Sequence, residues 1–207
     1  MPRDLWSKVD RRRRIRWLRL ATLATIGVLA GCTTLQQIAA LRRVEFDLDR
    51  VSDVRVAGIR VDDRRHVSDL TGLELARLTA AAASGSVPLD LIVHVRASNP
   101  AENRATARLV DLDWTLFLEE REAVSGTFTG TRTILPGEAV DVAVPASLDI
   151  VPFVHGSARD LFELALSLAG YGGSPKQVRV DLMPRIETAL GPISYPSRIT
   201  IRKTVGG

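Results

Sequence analysis

The sequence predicts a mainly β fold, an antiparallel β-sandwich with one or two short helices. Three observations predict it. Apolar residues alternate with polar ones at a period of two in several short segments between residues 46 and 201. Gly, Pro and Asn punctuate those segments at a spacing of about ten residues, and in two places the apolar period lengthens to that of a helix.

The first strand begins at Phe46, where Phe46, Leu48, Val54 and Val56 alternate with Asp47, Asp49 and Arg55, and it runs to Val61 with Gly58 marking a bulge. A short helix is expected between Ser68 and Ala83, since Thr71-Gly72-Leu73-Glu74 has capping-box spacing and Leu70, Leu73 and Leu78 form a stripe for the core. Ser84-Gly85-Ser86 and Pro88 end it. Leu89, Leu91, Val93, Val95 and Ala97 then share one strand face while Asp90, His94 and Arg96 share the other, and Asn99-Pro100 closes the strand with turn chemistry. From Ala107, the set Val110, Leu112, Trp114, Leu116 and Leu118 alternates with Asp111, Asp113, Thr115 and Phe117. Trp114 reads as core. Glu119 to Glu122 form a charged hairpin tip, and residues 123 to 134 return as Thr-rich strands broken by Gly126 and Gly130. After the Pro136-Gly137 turn, Val140, Val142 and Val144 lead to Leu148, with Pro145 indicating an edge or a bulge. Residues 157 to 169 form a second helix capped by Ser157, with Leu161, Leu164, Ala165 and Leu168 inward. Val178, Val180 and Leu182 make a further strand, and Ile199 and Ile201 end the sheet after a Gly191-Pro192 turn.

The charge is unevenly placed. The chain of 207 residues has 28 Lys+Arg and 24 Asp+Glu, but residues 1 to 32 hold eight of the basic and two of the acidic ones, leaving 20 and 22 beyond. A remainder near neutrality lacks the electrostatic footprint of a nucleic-acid binder, so no nucleic-acid partner is expected. Arg11 to Arg14, Arg16 and Arg19 precede the apolar run Leu20 to Ala30, which has the plan of a secretory signal and falls short of the roughly 18 to 20 residues of a spanning helix. Leu29, Ala30, Gly31 and Cys32 resemble the bacterial lipobox, and Cys32 is the only cysteine. The resemblance implies cleavage before Cys32 and lipidation of its thiol, with acyl chains anchoring the chain at a membrane. Three segments are therefore expected: a signal peptide over 1–31, a lipidated amino terminus and tether over 32–45, and a domain over 46–207. Thr33, where inner-membrane lipoproteins carry Asp, implies sorting to the outer membrane of a two-membrane cell. The arginines before Trp17 are similar to a twin-arginine export signal, which leaves the export route open.

The order of Leu91 to Asn99-Pro100, a Trp-bearing strand, a Gly- and Thr-rich hairpin, Pro136-Gly137 before a valine strand, and a helix near 160 resembles the late-embryogenesis-abundant type 2 domain, also called the water-stress and hypersensitive-response domain. The resemblance covers residues 50 to 203. It implies an immunoglobulin- or fibronectin III-like sandwich, no cofactor, and a role in desiccation and stress tolerance. In that family the turn continues Asn-Pro-Asn; here Ala101 follows, with Asn103 two residues further on.

No catalytic site is expected. His66, His94 and His155 are not spaced as metal ligands and read as surface or rim residues. A serine joined to His94 and an aspartate stays open, without nucleophile-elbow spacing to support it. Asp111 and Asp113 read as the solvated side of a strand, and Gly170 to Gly173 lacks the Lys-Ser or Lys-Thr of a phosphate loop. The expected partners are a membrane through Cys32, and unfolded clients, lipid or envelope proteins. A groove between the first helix and the sheet is the place for an acyl chain or a partner protein.

Overall fold

The computed structural model describes residues 44–206, apart from residues 63, 104, 105, 155, 173, 189 and 190. The expected signal peptide, the lipobox residues Leu29, Ala30, Gly31 and Cys32, and nearly all of the tether lie outside the described residues, as does His155. Within them the fold is mainly β. Nine strands, all paired antiparallel, form two sheets, and two helices accompany them.

The strands are β1 (Glu45–Val56), β2 (Ile59–Arg60), β3 (Pro88–Ser98), β4 (Ala107–Leu118), β5 (Arg121–Ile134), β6 (Ala139–Asp149), β7 (Lys176–Thr188), β8 (Gly191–Ser194) and β9 (Ile199–Val205). The helices are α1 (Gly72–Ser84) and α2 (Ala158–Leu168). The first sheet has the order β2-β1-β3-β6. The second has the order β5-β4-β7, with β8 and β9 both paired to β7. Inward side chains of the two sheets meet in one apolar core that holds Leu48, Leu91 and Val93 from the first and Trp114, Leu116 and Val180 from the second. Helix α2 closes part of that core with Leu161, Phe162, Leu164 and Leu168, all buried.

Period-two alternation explains most of this. Leu89, Leu91, Val93, Val95 and Ala97 are buried on β3, and Val142, Val144, Ala146 and Leu148 on β6, as their spacing predicts. Pro145 is tolerated because β6 is the edge of its sheet. Strand β1 keeps its apolar residues inward by a different device. Register shifts after Leu48 and after Ser52 each move the pattern by one residue, so Val51, opposite Val93, and Val54 both face the core, while Arg50 and Ser52 face out.

Four sequence expectations are corrected. Gly58 belongs to no bulge: with Ala57 it forms a two-residue hairpin turn, φ +48° and +76°, that pairs Val56 with Ile59. Val110 is not in the buried set of β4, because a register shift between Leu109 and Asp111 puts Leu109 in the core instead. Strand β5 is continuous over 14 residues. Gly126 does not break it, since the Trp114 indole of the facing strand lies where a Cβ would stand, 2.9 Å from the nearest ring carbon. Gly191 and Pro192 make no turn; they pair with Thr188 and Glu187 inside β8.

Candidate functional site

The chemistry of this molecule lies on the outward faces of its sheets and at one buried turn. That turn is Asn99-Pro100. Asn99 is 1% exposed and its Nδ2 donates to the Ile134 carbonyl at 2.9 Å, while Asn103, 3% exposed, donates from its Nδ2 to Asn99 Oδ1 at 2.6 Å. The backbone N–H of Gly137 donates to the Asn99 carbonyl and that of Asn99 to the Glu138 carbonyl. Asn99 thus pins the Pro136-Gly137 turn to the end of β3. Pro100 supplies its carbonyl to the Asn103 N–H. The motif is a brace between two sheet crossings, and Asn103 stands in it where Ala101 has no side-chain amide to offer.

The outward face of the second sheet is a lattice of polar side chains. On β5, Ser125, Thr127, Thr129, Thr131 and Thr133 all point outward and are exposed. Beside them on β4 stand Asp111 and Asp113, both bridged by Arg185 of β7 at 3.4 and 3.3 Å, and Thr127 donates its hydroxyl to Asp113 at 2.7 Å. Further along, Arg179 lies 3.6 Å over the Phe117 ring and 3.5 Å from Asp181, which accepts from Thr200. Asp111 and Asp113 are therefore engaged by a guanidinium, which leaves them poorly suited to hold a metal. Among the described residues no group of three His, Cys, Asp or Glu could hold a metal ion.

The outward face of the first sheet carries a different arrangement. Asp90 and Arg96 are exposed on it, as expected, on the side of the sandwich opposite Asp111 and Asp113. His94, on the central strand β3, is 8% exposed and so is not the surface residue its position suggests. Its Nε2 lies 2.8 Å from Ser52 Oγ on β1 and its Nδ1 lies 2.7 Å from Asp141 Oδ2 on β6. Arg50, directly across the ladder from His94, places a guanidinium nitrogen 3.6 Å from the same carboxylate. Sequence spacing could not reveal this trio, since its members are 42 and 47 residues apart; only the shared outward phase of the three strands joins them. His66, by contrast, is exposed at the start of the 3-10 turn Val67–Asp69.

The interior offers little room. The gap between the sheets, lined by Leu48, Leu91, Leu116, Leu148 and Leu168 among others, has a volume of about 20 Å³, space for about one water molecule. An acyl chain does not fit in it. Leu73, expected in the core stripe of α1, is 73% exposed, and of the leucines of α1 only Leu78 is buried. Among the described residues no helix is long and apolar enough to cross a membrane.

No family model and no curated protein matches the chain. Solved structures that it resembles include a protein from Archaeoglobus fulgidus at 11% identity, with a TM-score of 0.35 and coverage of 76% of this chain and 97% of that one. A protein described as late embryogenesis abundant (LEA), At2g46140.1, is 13% identical with a TM-score of 0.39, over 94% of this chain and 89% of that one. AT1g01470 from Arabidopsis thaliana is 13% identical with a TM-score of 0.40, over 59% and 71%. Identities and scores this low bring no function across to this chain.

Proposed function

We propose that this is a lipid-anchored envelope protein, held at the periplasmic face of a membrane through Cys32, whose domain protects its surroundings against loss of water. The domain is read as an immunoglobulin- or fibronectin III-like sandwich of the late-embryogenesis-abundant type 2 kind. The alternation of strands between sheets, with β3 to β4 and β5 to β6 crossing over, supports that type. The observation that carries the protective role is the outward ladder Ser125, Thr127, Thr129, Thr131 and Thr133 beside the ion-paired Asp111 and Asp113. Each hydroxyl both donates and accepts. When water is withdrawn, polar groups of membranes and partly unfolded proteins lose partners at a cost of a few kcal/mol each if nothing replaces them. A fixed array of hydroxyls and charges over a closed apolar core replaces some of those partners without itself opening. Protection by such a surface requires no turnover and no cofactor.

Deleting the gene should lower survival on drying, and a Thr129→Val, Thr131→Val, Thr133→Val allele should fail to restore it while retaining the wild-type unfolding midpoint. Unchanged survival of the deletion strain would end the protective role. The anchor is tested separately: wild-type protein should take up radioactive palmitate and Cys32→Ser should not, so label on the variant would refute lipidation at Cys32.

A second role, as a binding module of an envelope complex, is favoured by Leu73 and Leu75 of α1, 73% and 43% exposed. A photocrosslinker at position 73 should then capture one defined envelope protein in intact cells, and capture nothing if α1 faces only water.

A further inference from the structure

The trio on the outward face of the first sheet has the atoms of a nucleophilic serine relay in the correct order. A carboxylate only accepts hydrogen bonds, so the 2.7 Å contact between Asp141 and His94 Nδ1 puts the ring proton on that nitrogen. Nε2 then carries the lone pair and accepts the Ser52 hydroxyl at 2.8 Å. The imidazole side chain is only 10% exposed, so packing as well as the carboxylate fixes its orientation.

The backbone beside Ser52 is a second, independent observation. The ladder jumps from the pair Ser52 and Ile92 to the pair Arg55 and Asp90, which leaves Asp53 out of register. Asp53 has φ +50°, a left-handed conformation that non-glycine residues adopt at a cost of about 1 kcal/mol or more and that concentrates at functional sites. Its carboxylate is taken by Arg55 at 3.0 Å. The residue after a nucleophilic serine is the one whose N–H receives the developing oxyanion in strand-to-turn hydrolases, and here that residue sits on a bulge that frees it from the ladder. Around the serine, Ile92 lies directly across on β3 and Pro145 across from Ile92 on β6, an apolar strip flanked by the cation of Arg50.

We propose that Ser52 is an acyl-accepting nucleophile, with His94 as its general base and Asp141 as a positioning residue, and that the site takes carboxylic esters with a small acyl group. Ser52 Oγ attacks the ester carbonyl carbon as its proton passes to His94 Nε2. The tetrahedral alkoxide, facing the Asp53 N–H, collapses to acyl-Ser52, and the C–O bond to the leaving alcohol breaks as that oxygen takes the proton from His94. Water then attacks the acyl carbon, again giving its proton to His94, and releases the acid with Ser52 restored. The small acyl group follows from the open sheet face: Ile92 and Pro145 offer a strip for a few methylenes and no tunnel for a long chain.

The test uses the full-length chain in detergent with an alkyl fluorophosphonate and with p-nitrophenyl butyrate. The phosphonyl group should be found on Ser52 by peptide mass spectrometry, and ester cleavage should fall by about 100-fold or more in Ser52→Ala and in His94→Gln, each with an unchanged unfolding midpoint. Asp141→Asn should slow phosphonylation of Ser52 without moving its location. Absence of label on Ser52, label that persists at the same rate in His94→Gln, or label without ester cleavage above that of Ser52→Ala each overturns the proposal and leaves the trio as a hydrogen-bond network of the sheet surface.

Discussion

Both helices begin with a capping box and carry leucines at helical spacing, yet they sit on the molecule very differently. In α1, Glu74 accepts from the Thr71 backbone and hydroxyl, and of its 13 residues only Leu78 is buried. In α2, Asp160 accepts likewise from Ser157, and seven of 11 residues are buried, among them Phe162 and Leu164. The difference lies in connection. Helix α2 carries the chain from β6 in one sheet to β7 in the other, so it crosses the mouth of the sandwich, where its Leu168 lines the gap with Leu48, Leu116 and Leu148. Helix α1 joins β2 to β3, neighbours of β1 in a single sheet, and has no gap to fill. Helical periodicity therefore reports that one side is apolar, and topology decides whether that side finds a core.

The contrast is broken most severely at Phe162, which is fully buried. Phe162→Ala should cost about 3–5 kcal/mol of stability, measured by urea unfolding. Leu78 is the single buried anchor of α1. Leu78→Ala should cost less, about 2–3 kcal/mol, because a helix with a single fully buried side chain can settle into the space left behind; a loss equal to that at Phe162 would mean that α1 is as integral as α2.

The alternation on β3, β4 and β6 is legible in the sequence because each strand has one wet and one dry face. Pro145 correctly marks an edge and Ser157 a cap. What escapes is whatever depends on a partner. The phase of β4 changes at Val110 because β5 pairs with it at a different register on either side, and the unbroken run of β5 through Gly126 depends on an indole from another strand. The site divides in the same way. Asn99-Pro100 is recognisable as a turn from its own two residues, but its bond to Ile134 is not. His94 is visible as a lone histidine, whereas Ser52 joins it only because the bulge after Leu48 turns Arg50 and Ser52 outward, and bulges leave no periodic trace.

A smaller effect sharpens the comparison at the entrance to α2. Asp149 ends β6, and its Oδ1 accepts from the backbone N–H of Val87 and of Val151, both at 3.0 Å. Burial raises the pKa of this carboxyl, but the N–H groups of Val87 and Val151 and the Ser86 side chain outweigh it and hold the group below its usual value of 3.8. Because the folded pKa is depressed, its stabilisation is present above the unfolded value near 3.8 and is lost as pH falls through the folded one. Asp149→Ala should cost about 1–2 kcal/mol at pH 7 by leaving two donors without that acceptor. The gap between variant and wild type should close in acid, and a gap independent of pH would show that the carboxylate charge is not what holds the turn.

The smallest effect is expected at Leu73, where the helices differ most. At 73% exposure its side chain gives up little contact with water on folding, so Leu73→Ala should change stability by no more than about 0.5 kcal/mol. Leu164, in the second turn of α2, is 3% exposed, and the same truncation there should cost several times as much. If Leu73→Ala leaves stability untouched yet abolishes crosslinking from α1 in cells, an exposed leucine that does nothing for the fold acts in contact with another molecule. If it costs as much as Leu164→Ala, the first helix is packed in solution more deeply than its exposure indicates, and the division between a helix that fills the sandwich and one that rides outside it fails.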